Sequence, residues 1–168
     1  LPEHSLQSLL LFKMGRAFEN ALFKYLLPDS TREVEVKEAG IEGHIDFGMD
    51  NDLDYETKVT WKYPKDDPWD LFDGYYYYVL EQAGTYAIMR RRRACRIAIY
   101  HVQPPPPTLV IYLVEWTARE QGDLWNIMLK RRDYLLEGFQ GKRMPSKTVH
   151  KELCRSCPVK AECDQIGD

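Results

Sequence analysis

Gly43-His44-Ile45-Asp46 leads through Phe47-Gly48-Met49 into Asp50-Asn51-Asp52, and the chain then runs Tyr55-Glu56-Thr57-Lys58. The middle triplet is turn-forming, because short Asp and Asn side chains hydrogen-bond their own backbone. Its flanks read as a short strand around His44–Gly48 and a longer one over Leu53–Trp61. A hairpin of these two strands brings Asp46 and Glu56 to one edge. Side chains alternate along a strand, so Glu56 and Lys58 share a face and Thr57 takes the other. Two carboxylates and an ammonium so placed suit phosphodiester chemistry. The carboxylates would hold one or two divalent ions, which acidify a water and screen the phosphate. Lys58 could orient that water or stabilise developing negative charge. The Thr57 carbonyl could add a further metal ligand. A Glu-x-Lys taken alone is also what an exposed strand ion pair looks like. Asp46, across a turn, narrows that alternative without removing it. Repelling carboxylates gain little from one another, so removing Asp46 is expected to leave folding intact.

Outward from this hairpin, residues 5–27 carry apolar side chains at helical spacing, and Pro28-Asp29-Ser30 stops them. Residues 33–37 alternate as Glu-Val-Glu-Val-Lys, a half-exposed strand that would complete an antiparallel three-strand meander. Downstream, Trp69 to about Arg90 reads as an aromatic-rich helix, though Tyr75–Tyr78 cannot all face inward. Strands are expected over Cys95–Val102 and Thr108–Trp116, separated by the rigid Pro104–Pro107 spacer, and a last helix over Gln121–Gly138. The order helix, three strands, helix, two strands, helix predicts an α/β fold with a mixed sheet.

The 168 residues are 44% hydrophobic and 29% charged, which excludes a disordered or collagen-like chain. No apolar run approaches the ~18 residues of a membrane span, so a soluble protein with no membrane partner is expected. Nothing at the start resembles a signal peptide, and the clustered cysteines suit a cytoplasmic setting. Net charge is only −3, but residues 42–73 hold ten acids against three bases, and residues 129–160 hold nine bases against three acids. That separation fits either differently charged solvated faces or a cation site beside a polyanion site.

With these motifs the chain resembles the PD-(D/E)xK nuclease superfamily, in its RecB-like branch. Asp46…Glu56-Thr57-Lys58 matches the signature, in a Gly-x-Ile-Asp context. Gly15-Arg16-Ala17-Phe18-Glu19 resembles the family's Gly-x-x-x-(His/Glu) motif, and Gln82-Ala83-Gly84-Thr85-Tyr86 its Gln-x-x-x-Tyr motif. Taken singly, Glu19 would pass for a surface acid and Tyr86 for a core residue; their conjunction in the family's chain order carries the likeness. The resemblance implies a restriction-endonuclease-like core over residues 1–140. It assigns Glu19, Asp46, Glu56 and Thr57 to Mg²⁺ or Mn²⁺, Lys58 to the water attack, and Gln82 and Tyr86 to positioning substrate or Lys58. Gln82 and Tyr86 are four apart, so one helix face carries both.

Cys154, Cys157 and Cys163 are spaced C-x2-C-x5-C, which can wrap one soft metal centre. The CRISPR-associated Cas-four exonucleases and the AddB-type nucleases have a similar tail. The resemblance therefore implies a [4Fe–4S] cluster in a segment, 141–168, packed on the core. No cysteine precedes Glu19 to supply the fourth ligand. It could lie upstream of Leu1, or His150 could complete a zinc site. Cys95, in phase with Ile97 and Ile99, reads as a buried thiol.

Arg90–Arg93 suits either a helix C-terminus or a DNA contact. Lys130-Arg131-Arg132 reads most simply as a solvated face. Trp61, Trp69 and Trp125 are core residues or stacking platforms for bases. The expected function is a metal-dependent DNA exonuclease acting on single-stranded ends. Its setting would be CRISPR spacer processing or DNA repair and recombination, beside proteins of those pathways; viral relatives also exist. The alternatives are a non-catalytic DNA-binding or scaffold module stabilised by zinc or iron–sulfur, and a zinc-stabilised interaction protein.

Overall fold

The computed structural model describes residues 6–65, 67, 72, 76–103 and 105–140. Helix α1 spans Leu6–Tyr25. It is followed by strands β1 (Thr31–Glu38), β2 (Ile41–Gly48) and β3 (Tyr55–Thr60). Helix α2 (Tyr77–Met89) leads to β4 (Ala94–His101) and β5 (Thr108–Glu115), and α3 (Ala118–Phe139) follows. The three cysteines at 154, 157 and 163, with His150 and Trp69, lie outside the described residues.

The strands form one sheet in the order β1-β2-β3-β4-β5. The first three are antiparallel, as the meander requires. The β1–β2 turn is two residues long, Ala39 and Gly40, both at positive φ (50° and 77°). That backbone twist matches the twist of the flanking strands, and glycine adopts it without steric cost. β3 and β4 are parallel, joined by a crossover that contains α2, and β5 returns antiparallel on the edge. The sheet is therefore mixed, with helices on both faces.

Alternation along β4 divides the core. Cys95, Ile97 and Ile99 pack with Phe72, Tyr76, Val79, Leu80 and Ala83 on the α2 face. Ala98 turns the other way and joins Phe18, Leu22, Leu27 and Phe47 on the α1 face. The α3 helix begins at Ala118, ahead of the expected Gln121, because Thr117 and Glu120 cap it reciprocally. The Thr117 amide and hydroxyl both donate to Glu120 Oε2, at 2.7 and 2.8 Å. The Glu120 amide donates back to Thr117 Oγ1.

The basic triplet on α3 is not a purely solvated face. Arg131 makes a two-pronged bond to the buried Glu81 of α2, at 2.8 and 3.0 Å. Arg132 donates to the Ala39 carbonyl at the hairpin tip. Among the described residues no helix is long and apolar enough to cross a membrane.

Candidate active site

The centre of the site is a local parting of β2 from β3. Their register is held at Phe47–Tyr55, and an unbroken antiparallel ladder would go on to oppose Asp46 with Glu56 and Ile45 with Thr57. Instead the Asp46 carboxylate enters the gap. Its Oδ2 accepts from the Thr57 amide and from Thr57 Oγ1, both at 2.7 Å. Asp46 thus accepts two hydrogen bonds from β3, where the sequence alone predicts carboxylates with little to gain.

Glu56 is 3% exposed, one residue before Thr57. Its Oε1 accepts from Lys58 Nζ at 2.6 Å, so both side chains lie on the face that alternation predicts. Its Oε2 is buried without a hydrogen-bond partner. Burial, above all, pushes the Glu56 carboxyl up to about 7; the neighbouring Lys58 pulls it down, while the charges of Asp46 and Glu19 lift it further. Burial works most strongly against the Lys58 ammonium, but the charge and hydrogen bond of Glu56, with the charges of Asp46 and Tyr78, together outweigh it, so Lys58 is held above the ordinary lysine value.

Glu19 reaches the site from α1. Burial and then the Asp46 charge raise its carboxyl above the usual range, with Arg32 and Arg16 acting in the opposite sense. Gln82 and Tyr86 lie one turn apart on α2, and Gln82 Nε2 donates to Tyr86 Oη at 3.2 Å. Tyr86 and Glu56 line the same small crevice with Ile45 and Ala83. Gly43 makes this approach possible: a Cβ there would lie 2.4 Å from Tyr86 Cε1.

The fit to a divalent cation rests on the donors. Glu56 Oε2 is a buried oxygen lacking a partner, and the Asp46 carboxylate bonds Thr57, the next residue along β3. Among the described residues no three His, Cys, Asp or Glu side chains form a ready-made cation cage. Mg²⁺ does not need one, since it keeps several waters and typically takes one or two carboxylates plus substrate phosphates. The residues present fit such an ion.

Several partners escape sequence reasoning. Asp54, 4% exposed, accepts from the Met49 amide at 2.9 Å and pairs with Arg90 and Arg92, at 3.3 and 3.2 Å. Arg90 and Arg92 also donate to the Met49 carbonyl. The basic run therefore clamps the 49–54 turn, and two of its four arginines are structural. Its one-dimensional signal, a block of like charge after a helix, conceals the acidic turn it meets in space. Cys95 is buried, and burial pushes its thiol up to about 12, as suits an inert core residue.

No family model and no curated protein matches the sequence. Solved structures do match in fold. The crystal structure of SSO0001 superposes with a TM-score of 0.58 at 14% identity, over 95% of this chain and 71% of that one. A chain from Eubacterium rectale named "putative exonuclease" superposes with a TM-score of 0.53 at 15% identity, over 93% of this chain and 59% of that one. This chain thus spans less than two thirds of the second protein. At these identities the likeness concerns the fold alone.

Proposed function

We propose that the chain is a metal-dependent deoxyribonuclease that removes nucleotides from single-stranded DNA ends. The observation that carries this reading is the parted β2–β3 edge, where Asp46 and the unsatisfied Glu56 oxygen stand beside Lys58. That combination is hard to explain as scaffolding, because a buried carboxylate oxygen without a partner is costly. The shared fold with a chain named as an exonuclease supports it.

Asp46, Glu56, Glu19 and the Thr57 carbonyl would hold Mg²⁺ or Mn²⁺. Such an ion supplies an acidified water and a counter-charge for the phosphate. Lys58, oriented by Glu56, directs its remaining N–H groups to the attacking water or to the charge that develops on phosphorus oxygens. Tyr86 offers a phenol at the crevice and Gln82 an amide bonded to it, and the two would orient Lys58 or a phosphate oxygen. By the resemblance, Cys154, Cys157 and Cys163 hold a [4Fe–4S] cluster, or zinc with His150, and the biological setting is CRISPR spacer processing or DNA repair and recombination. The absorption spectrum of anaerobically purified protein separates brown iron–sulfur protein from colourless zinc protein.

The deciding assay uses end-labelled single and double strands with Mg²⁺, Mn²⁺ or EDTA. Cleavage should require the cation. Asp46→Asn keeps an acceptor for Thr57 but loses a charge, and should lower the rate at least ~100-fold. Lys58→Met should lower kcat by a similar factor while cation binding persists. Wild-type rates in either variant overturn the role assigned to that residue, and binding without cutting returns the chain to the non-catalytic alternative.

A further inference from the structure

The carboxylate pocket needs positive charge near it to receive a polyanion, and most nearby cations are already committed. Lys58 serves Glu56, Arg90 and Arg92 serve the 49–54 turn, and Arg96 bonds Asp52. Arg32, at the start of β1, is different. Its strand partner is Phe47, the residue after Asp46. Its Nη1 donates to Asn20 Oδ1 at 2.8 Å, and its Cζ lies 5.6 and 5.9 Å from the ring centroids of Phe23 and Phe47. One bond and two aromatic contacts hold the guanidinium in place. The opposite edge is unsaturated: Nη2 is 3.7 Å from Glu19 Oε2, too far for a charge-assisted hydrogen bond of about 2.8 Å. The side chain is 30% exposed, so that edge is within reach of a ligand. The β1 ladder also skips Glu33, the position facing Asp46, whose φ is 50°.

We propose that Arg32 is a phosphate-binding residue, taking a backbone phosphate adjoining the one held at the carboxylates. The inference rests on the nuclease reading above and extends it to substrate recognition. Glu19 is the carboxylate that faces Arg32 among the described residues, and where Glu19 is engaged by a cation a phosphate would take its place beside Arg32. A planar fork already held beside two rings can meet a phosphate bidentately, with less entropy left to lose. Arg16 reinforces the site. It stands one turn before Glu19 on α1, its side chain is 58% exposed, and its contact to Glu33 is loose at 3.8 Å.

The test compares the full chain with Arg32→Ala and Arg32→Lys. Affinity for a labelled single strand is measured across a salt series, with Ca²⁺ replacing Mg²⁺ and cleavage checked on the same samples; kcat and KM are measured in Mg²⁺. Arg32→Ala should flatten the slope of log Kd against log salt by about 0.7, the loss of one phosphate contact on a single strand. It should raise KM about 10-fold and leave kcat within about 3-fold. Arg32→Lys should restore the slope and recover only part of KM. An unchanged slope and KM in folded Arg32→Ala overturn the inference, even where its melting temperature falls, because the residue is then only a tie between α1 and β1. If the wild type cuts and binds no strand, the nuclease reading falls and this inference with it. Wild-type cleavage with an indifferent Arg32 removes this inference alone.

Discussion

At the scale of single residues, Glu56 links the site to stability. Its carboxyl is raised from about 4.5 to about 7 in the folded chain, so the folded state binds the proton more tightly than the unfolded one. Stability from this group is therefore full at low pH and is lost as pH rises from about 4.5 through 7. The shift corresponds to roughly 3 kcal/mol. Without divalent cations, the melting temperature should fall across that window, and Glu56→Gln should flatten the fall. Lys58 does not oppose this trend, because its raised pKa acts only at alkaline pH. Asp46 carries a different cost. Asp46→Ala removes the oxygen that accepts both Thr57 donors and should cost about 1–3 kcal/mol in urea unfolding, whereas Asp46→Asn should cost less.

At the scale of elements, two contacts decide where the helices stand over the sheet. Tyr86 of α2 lies against β2 because Gly43 has no side chain. Gly43→Ala should cost about 1–3 kcal/mol by crowding the ring. The cost should vanish in a Tyr86→Ala background, a coupling that a double-mutant cycle measures directly. The second contact is the Arg131–Glu81 pair between α3 and α2. The arginine is 42% exposed, so solvent screens it, and Arg131→Ala should cost about 1–2 kcal/mol rather than the full value of a buried pair. The helix pattern on α3 is visible from spacing alone, yet the role of Arg131 is not. A basic residue facing water and one facing a buried carboxylate on another helix have the same one-dimensional signature.

For the whole molecule, the pocket and the fold are thermodynamically linked. A cation that binds only the folded chain stabilises it by RT ln(1 + [L]/Kd), about 2.7 kcal/mol at a hundred times Kd. Adding Mg²⁺ at pH 7 should raise the wild-type melting temperature, and EDTA should reverse the rise. The Asp46→Asn chain should respond much less. A cation-independent melting curve in the wild type would mean that the carboxylates hold no ion. The same ion would favour ionised Glu56, so the pH dependence expected of the metal-free protein should weaken on saturation.

Local chemistry along the chain is enough to determine the order of elements, the meander, the shared face of Glu56 and Lys58, the pairing of Gln82 with Tyr86 and the burial of Cys95. Each follows from alternation, helical spacing or turn-forming residues, which act over a few neighbours. Tertiary structure alone decides the rest. It joins β3 and β4 in parallel, and parts β2 from β3 so that Asp46 can bond Thr57. It sets Arg32 beside Glu19, and commits Arg90 and Arg92 to the acidic turn. These contacts link residues eleven to forty-three positions apart. Periodicity cannot encode such pairs, because they exist only once the sheet has brought distant segments within bonding distance.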